Sequence, residues 1–309
     1  MWKKVVDTIE GREYPRTEEV GCPLCGRIHG PRALRVRFGM VAMVAECSQC
    51  RLAYQSPRPS QAASDAYMNM RWGSSDTYVA DVEQQRCRAR NQLSYITGVC
   101  GKPGKLLDFG AGVGTFIRVA LDSGWEATGI ERSIVARERA SVENGVHLVD
   151  ELTTKDQYDV ITLIDVIEHL RQPLEVLVAL REVLRPGGYL FVETGNWESY
   201  VRLALGDSYG LYLFDHQFYF SPPSLERLLA KCGFCSFTLL NSAEPLPGWS
   251  QLARPFRLWP PRSAYSSVKR LVRAWCAFRR ANEQWPSHGR LHLAVVTVQA
   301  PGPPSRVGS

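Results

Sequence analysis

Three glycines at alternate positions follow an apolar run that contains an acidic residue. The run is Leu106–Phe109 and includes Asp108, and the glycines are Gly110, Gly112 and Gly114. Glycine leaves the main chain bare, so a bulky ligand can approach it closely. The free N–H groups at the start of a following helix favour a negatively charged ligand group. This pattern predicts a strand, a tight turn and a helix N-terminus that bind a ligand.

A second acidic residue, Glu131, lies 21 residues after Gly110 and ends another apolar run, 127–130. A carboxylate at that point can accept hydrogen bonds from both hydroxyls of a ribose. The two features together predict a nucleoside-containing cofactor. The turn alone does not identify it, because nicotinamide-dependent dehydrogenases also use a glycine-rich turn.

Three further features narrow the choice of cofactor. The glycines follow the pattern G-x-G-x-G, which begins two residues after Asp108. An apolar stretch, 158–164, runs into Asp165-Val166-Ile167-Glu168-His169, and a Pro-Gly-Gly turn at 186–188 feeds another apolar stretch. This ordered set resembles the class I S-adenosylmethionine-dependent methyltransferases, in particular the small-molecule branch that includes the ubiquinone-biosynthesis O-methyltransferases. The resemblance covers about residues 104–243.

The resemblance implies a role for each matching residue. The three glycines would pass beneath the methionine part of S-adenosylmethionine. Asp108 would hold the amino group, Glu131 the ribose and Asp150 the adenine. Asp165 would lie beside the transferred methyl. In chain order the implied cofactor residues are Asp108, Gly110, Gly112, Gly114, Glu131, Asp150 and Asp165.

The candidate catalytic residues are His169, His216 and Glu168. An imidazole near the methyl could take the proton of a hydroxyl nucleophile. His169 could instead brace the loop through a hydrogen bond at a helix start. A third hypothesis places a divalent cation on Asp165, Glu168, His169 and His216, because related methyltransferases bind a cation with similar residues. Such a cation would polarise the acceptor hydroxyl.

Two C-x-x-C pairs precede the glycine turn. Cys22 and Cys25 form the first pair, and Cys47 and Cys50 form the second. Four thiolates on two tight turns suit tetrahedral zinc, so we expect a zinc ribbon. A site with four protein ligands leaves no position for substrate, so the predicted zinc is structural rather than catalytic.

The net charge of +6 is unevenly distributed along the 309 residues. Residues 246–309 contain ten basic residues and one acidic residue, so the rest of the chain is slightly acidic. This distribution does not indicate a general nucleic-acid binder. No apolar run reaches the length of a membrane span, and the opening residues lack the apolar core of a signal peptide. We therefore expect a cytoplasmic protein with reduced cysteines unless they bind metal.

Strand and helix patterns alternate after residue 104, which predicts an α/β fold with a parallel sheet covered by helices on both faces. The resemblance implies a seven-stranded Rossmann-like sheet whose last strand is antiparallel. We expect ligands beyond the carboxyl ends of its strands. The predicted strands are 105–109, 126–130, 146–149, 158–164, 189–194, 236–241 and 291–298.

The expected organisation has four parts. They are a polar lead-in with the zinc ribbon (1–58), a helical linker (59–103), the methyltransferase domain (104–299) and a disordered tail (300–309). The linker arginines Arg86, Arg88 and Arg90 are expected on a solvated face. Within the domain, 243–290 is an insertion, and its segment 266–281 could be a basic amphipathic helix that touches an anionic membrane, holds a phosphorylated substrate or packs on its own domain.

These features predict methyl transfer from S-adenosylmethionine, most naturally to oxygen, on a small-molecule or carrier-linked substrate. Zinc ribbons of this kind accompany bacterial enzymes of cell-surface sugar, lipid or secondary-metabolite pathways. Two alternatives remain open. One is an RNA methyltransferase that uses the ribbon and the basic segment to hold RNA, and the other is a non-catalytic binding module with a vestigial fold. The ribbon lacks an aromatic stacking platform, which argues against RNA as the partner.

Overall fold

The computed structural model describes residues 6–16, 18–35, 41–73, 82–153, 156–199, 202, 211–239 and 290–297. The expected amphipathic segment 266–281, the tail 300–309 and all of the insertion 243–290 except its last residue lie outside the described residues. None of the helices in the described ranges is long and apolar enough to cross a membrane.

The described elements are, in chain order, β1 (Val6–Ile9), β2 (Arg12–Pro15), β3 (Arg32–Arg35), β4 (Val41–Cys47), β5 (Leu52–Gln55), α1 (Gln61–Gly73), α2 (Val82–Cys100), β6 (Lys105–Phe109), α3 (Thr115–Asp122), β7 (Glu126–Ile130), α4 (Ile134–Asn144), β8 (Tyr158–Ile164), α5 (Pro173–Val183), β9 (Leu184–Gly195), β10 (Phe218–Tyr219), α6 (Pro222–Lys231), β11 (Ser236–Leu239) and β12 (Arg290–Thr297).

The main sheet confirms the predicted α/β fold. Its strand order is β11-β12-β9-β8-β6-β7. Strands β7, β6, β8 and β9 pair in parallel, and β12 is antiparallel to β9, as the resemblance implied for the last strand. Side chains alternate between the faces of each strand, so Leu106 packs with α2 and α3, whereas Leu107 packs on the side of α5 and α6. Helices therefore cover both faces.

The predicted strand 146–149 is not a strand in the structure. Only one parallel bridge forms there, between Ile130 and Val149, so the described sheet has six strands rather than seven. The N–H of Val146 still donates to the carbonyl of Ala140 in the last turn of α4, 3.3 Å away. Because residue 146 belongs to the helix end, the chain reaches the sheet edge only at Val149.

The expected polar lead-in also differs from the structure. Residues 6–15 form an antiparallel hairpin of β1 and β2. A buried ion pair stabilises the hairpin, with Arg16 Nε 2.8 Å from Asp7 Oδ2. Arg16 also donates to the side chain of Gln55 and to the carbonyl of Pro57, and sequence reasoning could not see these partners because they lie some 40 residues along the chain.

The region of the two C-x-x-C pairs, 18–58, belongs to a four-stranded antiparallel sheet in the order β10-β5-β4-β3. We call this region the cysteine module. The strands β3, β4 and β5 of the module are antiparallel neighbours, with Ala33 opposite Met43 and Ala45 opposite Tyr54. Buried residues of the module, including Leu52 and Tyr54, share one hydrophobic core with Phe220 and Leu228 of the main domain.

Candidate active site

The sequence-predicted cofactor residues meet at one edge of the main sheet. Asp108 lies in β6, Glu131 follows β7, Asp150 follows the bridge at Val149, and Asp165 follows β8. These strands are parallel, so their carboxyl ends lie side by side at the edge where open α/β sheets bind ligands.

The glycine turn lies between β6 and α3. Gly110 has a φ of 85°, and a Cβ there would come within 2.4 Å of Val166 Cγ2, so both backbone and space require glycine. Gly112 faces the indole of Trp72 at the end of α1, and a Cβ at Gly112 would lie 3.0 Å from Trp72 Cη2. Helix α1 is thus a cover over the turn, a role that the linker pattern did not predict.

The carboxylate of Glu131 is oriented by two backbone donors. Its Oε2 accepts from the N–H of Gly112 at 3.0 Å, and its Oε1 accepts from the N–H of Ser133 at 2.8 Å. Each carboxylate oxygen has a further lone pair. The group can therefore accept hydrogen bonds from a ligand while it stays tied to the glycine turn.

Asp108 is buried beneath the turn. Burial raises the pKa of its carboxyl to about 7, although a hydrogen bond from Thr162 opposes the shift and the nearby Glu131 adds to it. The Thr162 hydroxyl donates to Asp108 Oδ1 at 2.7 Å. A bound ammonium group would favour the ionised carboxylate at this position.

Asp150 stands at the rim of the site. Its side chain is about two-thirds exposed, and Arg137 Nη2 lies 3.7 Å from its Oδ2. The same arginine donates to the carbonyl oxygens of Glu131 at 2.6 Å and Arg132 at 2.9 Å. Arg137 therefore links the start of α4 to the rim.

Asp165 has a left-handed backbone, with a φ of 54°, in the loop after β8. Its Oδ2 accepts from Arg88 Nη2 at 2.9 Å, and the same nitrogen pairs with Glu193 of β9. The expectation that Arg88 lies on a solvated face is wrong. Its guanidinium enters the sheet edge because Glu193, buried among apolar neighbours, requires a cation and also receives a 2.6 Å hydrogen bond from Gln92.

The predicted catalytic residues form a second group next to Asp165. Ligand atoms of Glu168, His169 and His216 all lie within 4.8 Å of one another. The two imidazole rings meet edge to face, with centroids 4.7 Å apart. Asp165 is not in this group, since its carboxylate is paired with Arg88. Three of the four residues proposed for a cation are thus brought together.

Asp215, a residue that the sequence analysis did not single out, organises this group. Its Oδ2 lies 3.2 Å from His169 Nδ1 and 2.9 Å from Arg71 Nη1. Burial disfavours the charged forms of both residues, but their mutual attraction outweighs it. This attraction raises the pKa of His169 to about 9 and holds the pKa of Asp215 well below its usual range.

Burial shifts the pKa values of the other two groups in the direction that favours their neutral forms. Burial, together with the neighbouring charge of His169, lowers the pKa of His216 to about 3. Burial raises the pKa of Glu168 to about 7, although the His169 charge opposes the shift. Within the described part of the chain, Glu168 Oε2 is buried and has no hydrogen-bond partner. A buried acceptor atom in this state suits a ligand proton or a cation.

A narrow cavity opens beside Glu168 and His216. Its walls are mainly aromatic and apolar, with a few polar groups, and its lining residues are Glu168, Thr194, Gly195, Asn196, Trp197, Leu211, His216, Phe218 and Tyr219. The aromatic side chains of its lining are those of Trp197, Phe218 and Tyr219.

Comparison with known protein families identifies the kind of protein that carries this site. A family model described as a methyltransferase domain matches residues 80–235, about half of the chain. The chain is a member of this methyltransferase family. The match confirms the class I S-adenosylmethionine-dependent methyltransferase predicted from the sequence. It begins before α2, so about half of the expected helical linker lies inside the matched region.

Curated relatives and a solved structure agree with this assignment. The methyltransferase is 32% identical over 160 residues to the ubiquinone biosynthesis O-methyltransferase of Aeromonas salmonicida, covering 44% of this chain and 66% of that protein. It is 31% identical over 169 residues to the enzyme of the same name from Shewanella halifaxensis, covering 47% and 70%. The chain thus spans about two thirds of the length of these relatives.

Among solved structures, a SAM-dependent methyltransferase from Archaeoglobus fulgidus superposes with a TM-score of 0.50 at 17% identity. The alignment covers 72% of this chain and 96% of that chain, and it shows a shared fold.

The cysteine module of the methyltransferase gathers its four thiols as the sequence predicts. The sulfur atoms of Cys22, Cys25, Cys47 and Cys50 lie within 4.8 Å of one another, and Cys25 Sγ lies 3.7 Å from Cys47 Sγ. Tetrahedral zinc with Zn–S bonds of about 2.3 Å requires sulfur separations of about 3.8 Å. The donor set and its geometry therefore fit zinc.

Proposed function

We propose that the methyltransferase transfers the methyl group of S-adenosylmethionine to an oxygen atom of a small-molecule or carrier-linked acceptor. The named curated relatives are O-methyltransferases of ubiquinone biosynthesis. The observation that carries the proposal is the buried Oε2 of Glu168, which has no hydrogen-bond partner among the described residues and lies in the wall of the aromatic cavity beside His216.

The cofactor would lie across the strand ends. Gly110, Gly112 and Gly114 would face its methionine part, and Asp108 would hold the amino group in a charge-assisted contact. Glu131 would accept from the ribose hydroxyls, since two backbone N–H groups already fix its orientation. Asp150 at the rim would reach the adenine amino group, and Asp165 would lie next to the methyl.

The cavity has a volume of about 10 Å³, room for about one water-sized group, so the acceptor's hydroxyl would enter it toward Glu168 while the rest of the acceptor lies outside. Transfer is an in-line displacement in which the oxygen–carbon bond forms, the carbon–sulfur bond breaks and S-adenosylhomocysteine leaves. Glu168 would take the hydroxyl proton, and the elevated pKa of its carboxyl, about 7, suits a base near neutral pH. Alignment of the oxygen with the methyl is worth up to roughly 7–11 kcal/mol of the barrier.

A divalent cation is a second way to activate the hydroxyl at the same place. Glu168 Oε2 and one ring nitrogen of each histidine would hold it. Asp215 would then orient His169 through Nδ1, as outer carboxylates orient metal-bound histidines. When bound, the cation would supply Lewis-acid polarisation of the acceptor oxygen.

For the cysteine module we propose a structural zinc ion. Four protein sulfur ligands complete its coordination, so the ion would stabilise the fold without touching substrate. The RNA alternative depends on the cysteine module and the basic segment 246–309. We favour a small-molecule acceptor because the named curated relatives are ubiquinone biosynthesis O-methyltransferases.

Transfer of a labelled methyl group tests the proposed reaction. S-adenosylmethionine with a deuterated methyl is incubated with a panel of phenols, catechols, sugars and an RNA pool, and products are identified by mass spectrometry. The protein should give an O-methylated small molecule, and Glu168→Gln should reduce the rate at least 100-fold. Glu175→Gln, an exposed residue of α5, is the matched control.

Repeating the assay after chelation separates the two activation mechanisms. Loss of activity that Mg²⁺ or Mn²⁺ restores indicates the cation, and retained activity indicates Glu168 acting as the base. Methylation of the RNA pool alone, or a nitrogen-methylated product alone, would overturn the proposal.

A further inference from the structure

The cysteine module and the proposed acceptor site share a β-sheet. Strand β10 pairs with β5, which places Phe218 opposite Tyr54 and Tyr219 opposite Ala53. The pairing is extended by the N–H of Gln55, which donates to the carbonyl of Gln217 at 2.9 Å. The segment that directly follows His216 is therefore an edge strand of the module's own sheet.

The side chain of Gln55 makes the decisive contacts. Its Nε2 donates to the carbonyl oxygens of Phe214 and His216, each at 2.7 Å. Both hydrogens of the amide are thus used, and the two carbonyls bracket Asp215. The side chain is buried, so water cannot replace these bonds without opening the structure.

The amide oxygen of Gln55 is held from the other side. Arg16 Nη1 donates to Oε1 of Gln55 at 2.9 Å, and Arg16 is itself paired with Asp7 of the N-terminal hairpin. The guanidinium also lies over the ring of Phe214, 5.2 Å from its centroid. The amide therefore cannot flip, because its oxygen faces a cation and its nitrogen faces two carbonyls.

The bracketed residues are those that shape the reaction centre. Asp215 holds His169, and His216 lines the aromatic cavity beside Glu168. The N–H of Gln217 also donates to the carbonyl of Glu168 at 2.7 Å, so the segment contacts the third member of the group. A displacement of residues 214–217 would move all three groups at once.

We propose that Gln55 is a positioning residue for methyl transfer, which makes the cysteine module a working part of the active site. Gln55 fixes the main chain at 214–216 and thereby sets where Asp215 and His216 stand. The inference rests on the proposed acceptor site at Glu168 and His216. It predicts that disturbing Gln55 slows the reaction without weakening cofactor binding, because the hydrogen bonds described for Gln55 run to Arg16 and to residues 214–217 rather than to the strand ends that would hold the cofactor.

Gln55→Glu is a close test, because glutamate keeps the shape and still accepts from Arg16. The carboxylate cannot donate to the two carbonyls, so residues 214–216 lose their anchor. The matched control is Gln49→Glu, which makes the same chemical change at an exposed position of the same module.

Hydrogen–deuterium exchange measures the anchor directly and needs no acceptor. In Gln55→Glu, amides of 211–221 should exchange at least about 10-fold faster, whereas amides of 105–131 should be unchanged and Gln49→Glu should match the wild type. Calorimetry with S-adenosylhomocysteine should give a Kd within about twofold of wild type. With an acceptor from the methylation panel, kcat should fall about 10- to 100-fold, as expected for a small misplacement.

Unchanged exchange in 211–221, or an equal rise in both segments, would overturn the inference, as would a wild-type kcat. If Gln55→Glu does not fold, Arg16→Lys provides the milder perturbation and should raise exchange in the same segment. Failure of the proposed function is distinguishable, because it appears in the wild-type protein as a lack of O-methylated product while the exchange result still stands.

Discussion

Replacement of Glu131 by glutamine perturbs the cofactor site at its most defined contact. The carboxylate accepts from two backbone N–H groups, those of Gly112 at 3.0 Å and Ser133 at 2.8 Å. A glutamine amide has one acceptor oxygen and one donor nitrogen, so in either orientation one of these N–H groups faces another donor. One of the two proposed ribose contacts is lost as well.

The magnitude follows from the charge on the lost acceptor. A hydrogen bond to a charged group contributes about 1.5–3 kcal/mol, and each 1.4 kcal/mol corresponds to about a tenfold change in affinity. Glu131→Gln should therefore raise the Kd for S-adenosylmethionine about 10- to 150-fold. The glycine turn should remain folded, because the backbone bonds from Gly110 and Ala111 to Ile130 do not involve the side chain.

Isothermal titration calorimetry with S-adenosylmethionine and S-adenosylhomocysteine measures this change. Glu126→Gln is the control, since it is the same substitution at the other end of β7, where the side chain is about two-thirds exposed and pairs with Lys105. The control should bind like the wild type. An unchanged Kd for Glu131→Gln would refute the assignment of this carboxylate to the ribose.

Three further predictions concern stability. Arg88→Met should lower the free energy of unfolding by about 1–3 kcal/mol in urea, because buried Glu193 loses its cation, and Arg90→Met should change it by less than about 0.5 kcal/mol. Elemental analysis should find one zinc per chain. Cys22→Ser should lose the zinc and lower the Tm. Cys87→Ser, at an exposed cysteine, should keep both the zinc and the Tm of the wild type. In chelated protein, Asp215→Asn should be less stable than wild type at pH 6, and this gap should shrink as the pH rises through about 9, where His169 loses its proton. A gap that widens over that interval would contradict the His169–Asp215 pairing.

The pH dependence of this stability gap follows from the raised pKa of His169. The folded pKa of His169, about 9, lies above its usual value of about 6.5, so the pairing stabilises the fold fully below pH 6.5. That stabilisation disappears as the pH rises through the folded pKa.

Much of the main domain was predictable because its signals are local. Residues 105–109 and 126–130 were predicted with the observed bounds of β6 and β7, since short apolar runs bounded by glycine and acidic residues leave little choice. For the same reason, the sequence indicates the glycine turn, the four thiols and the Glu168–His169 pair. The residues that define each of these features are near neighbours in the chain.

The parts that were missed depend on partners far along the chain. Arg88 resembles any exposed helical arginine until Glu193 is placed opposite it, and Trp72 shows its role only when α1 lies over Gly112. Gln55 reaches carbonyls some 160 residues away. Such contacts leave no periodicity or motif, so they become visible only when the fold is known.

A crystal structure of the protein with S-adenosylhomocysteine tests the central claim most directly. The ribose hydroxyls should lie on Glu131, the amino group near Asp108 and the sulfur toward the cavity beside Glu168 and His216. A ligand bound elsewhere, or one whose sulfur points away from Glu168, would contradict the proposed cofactor site.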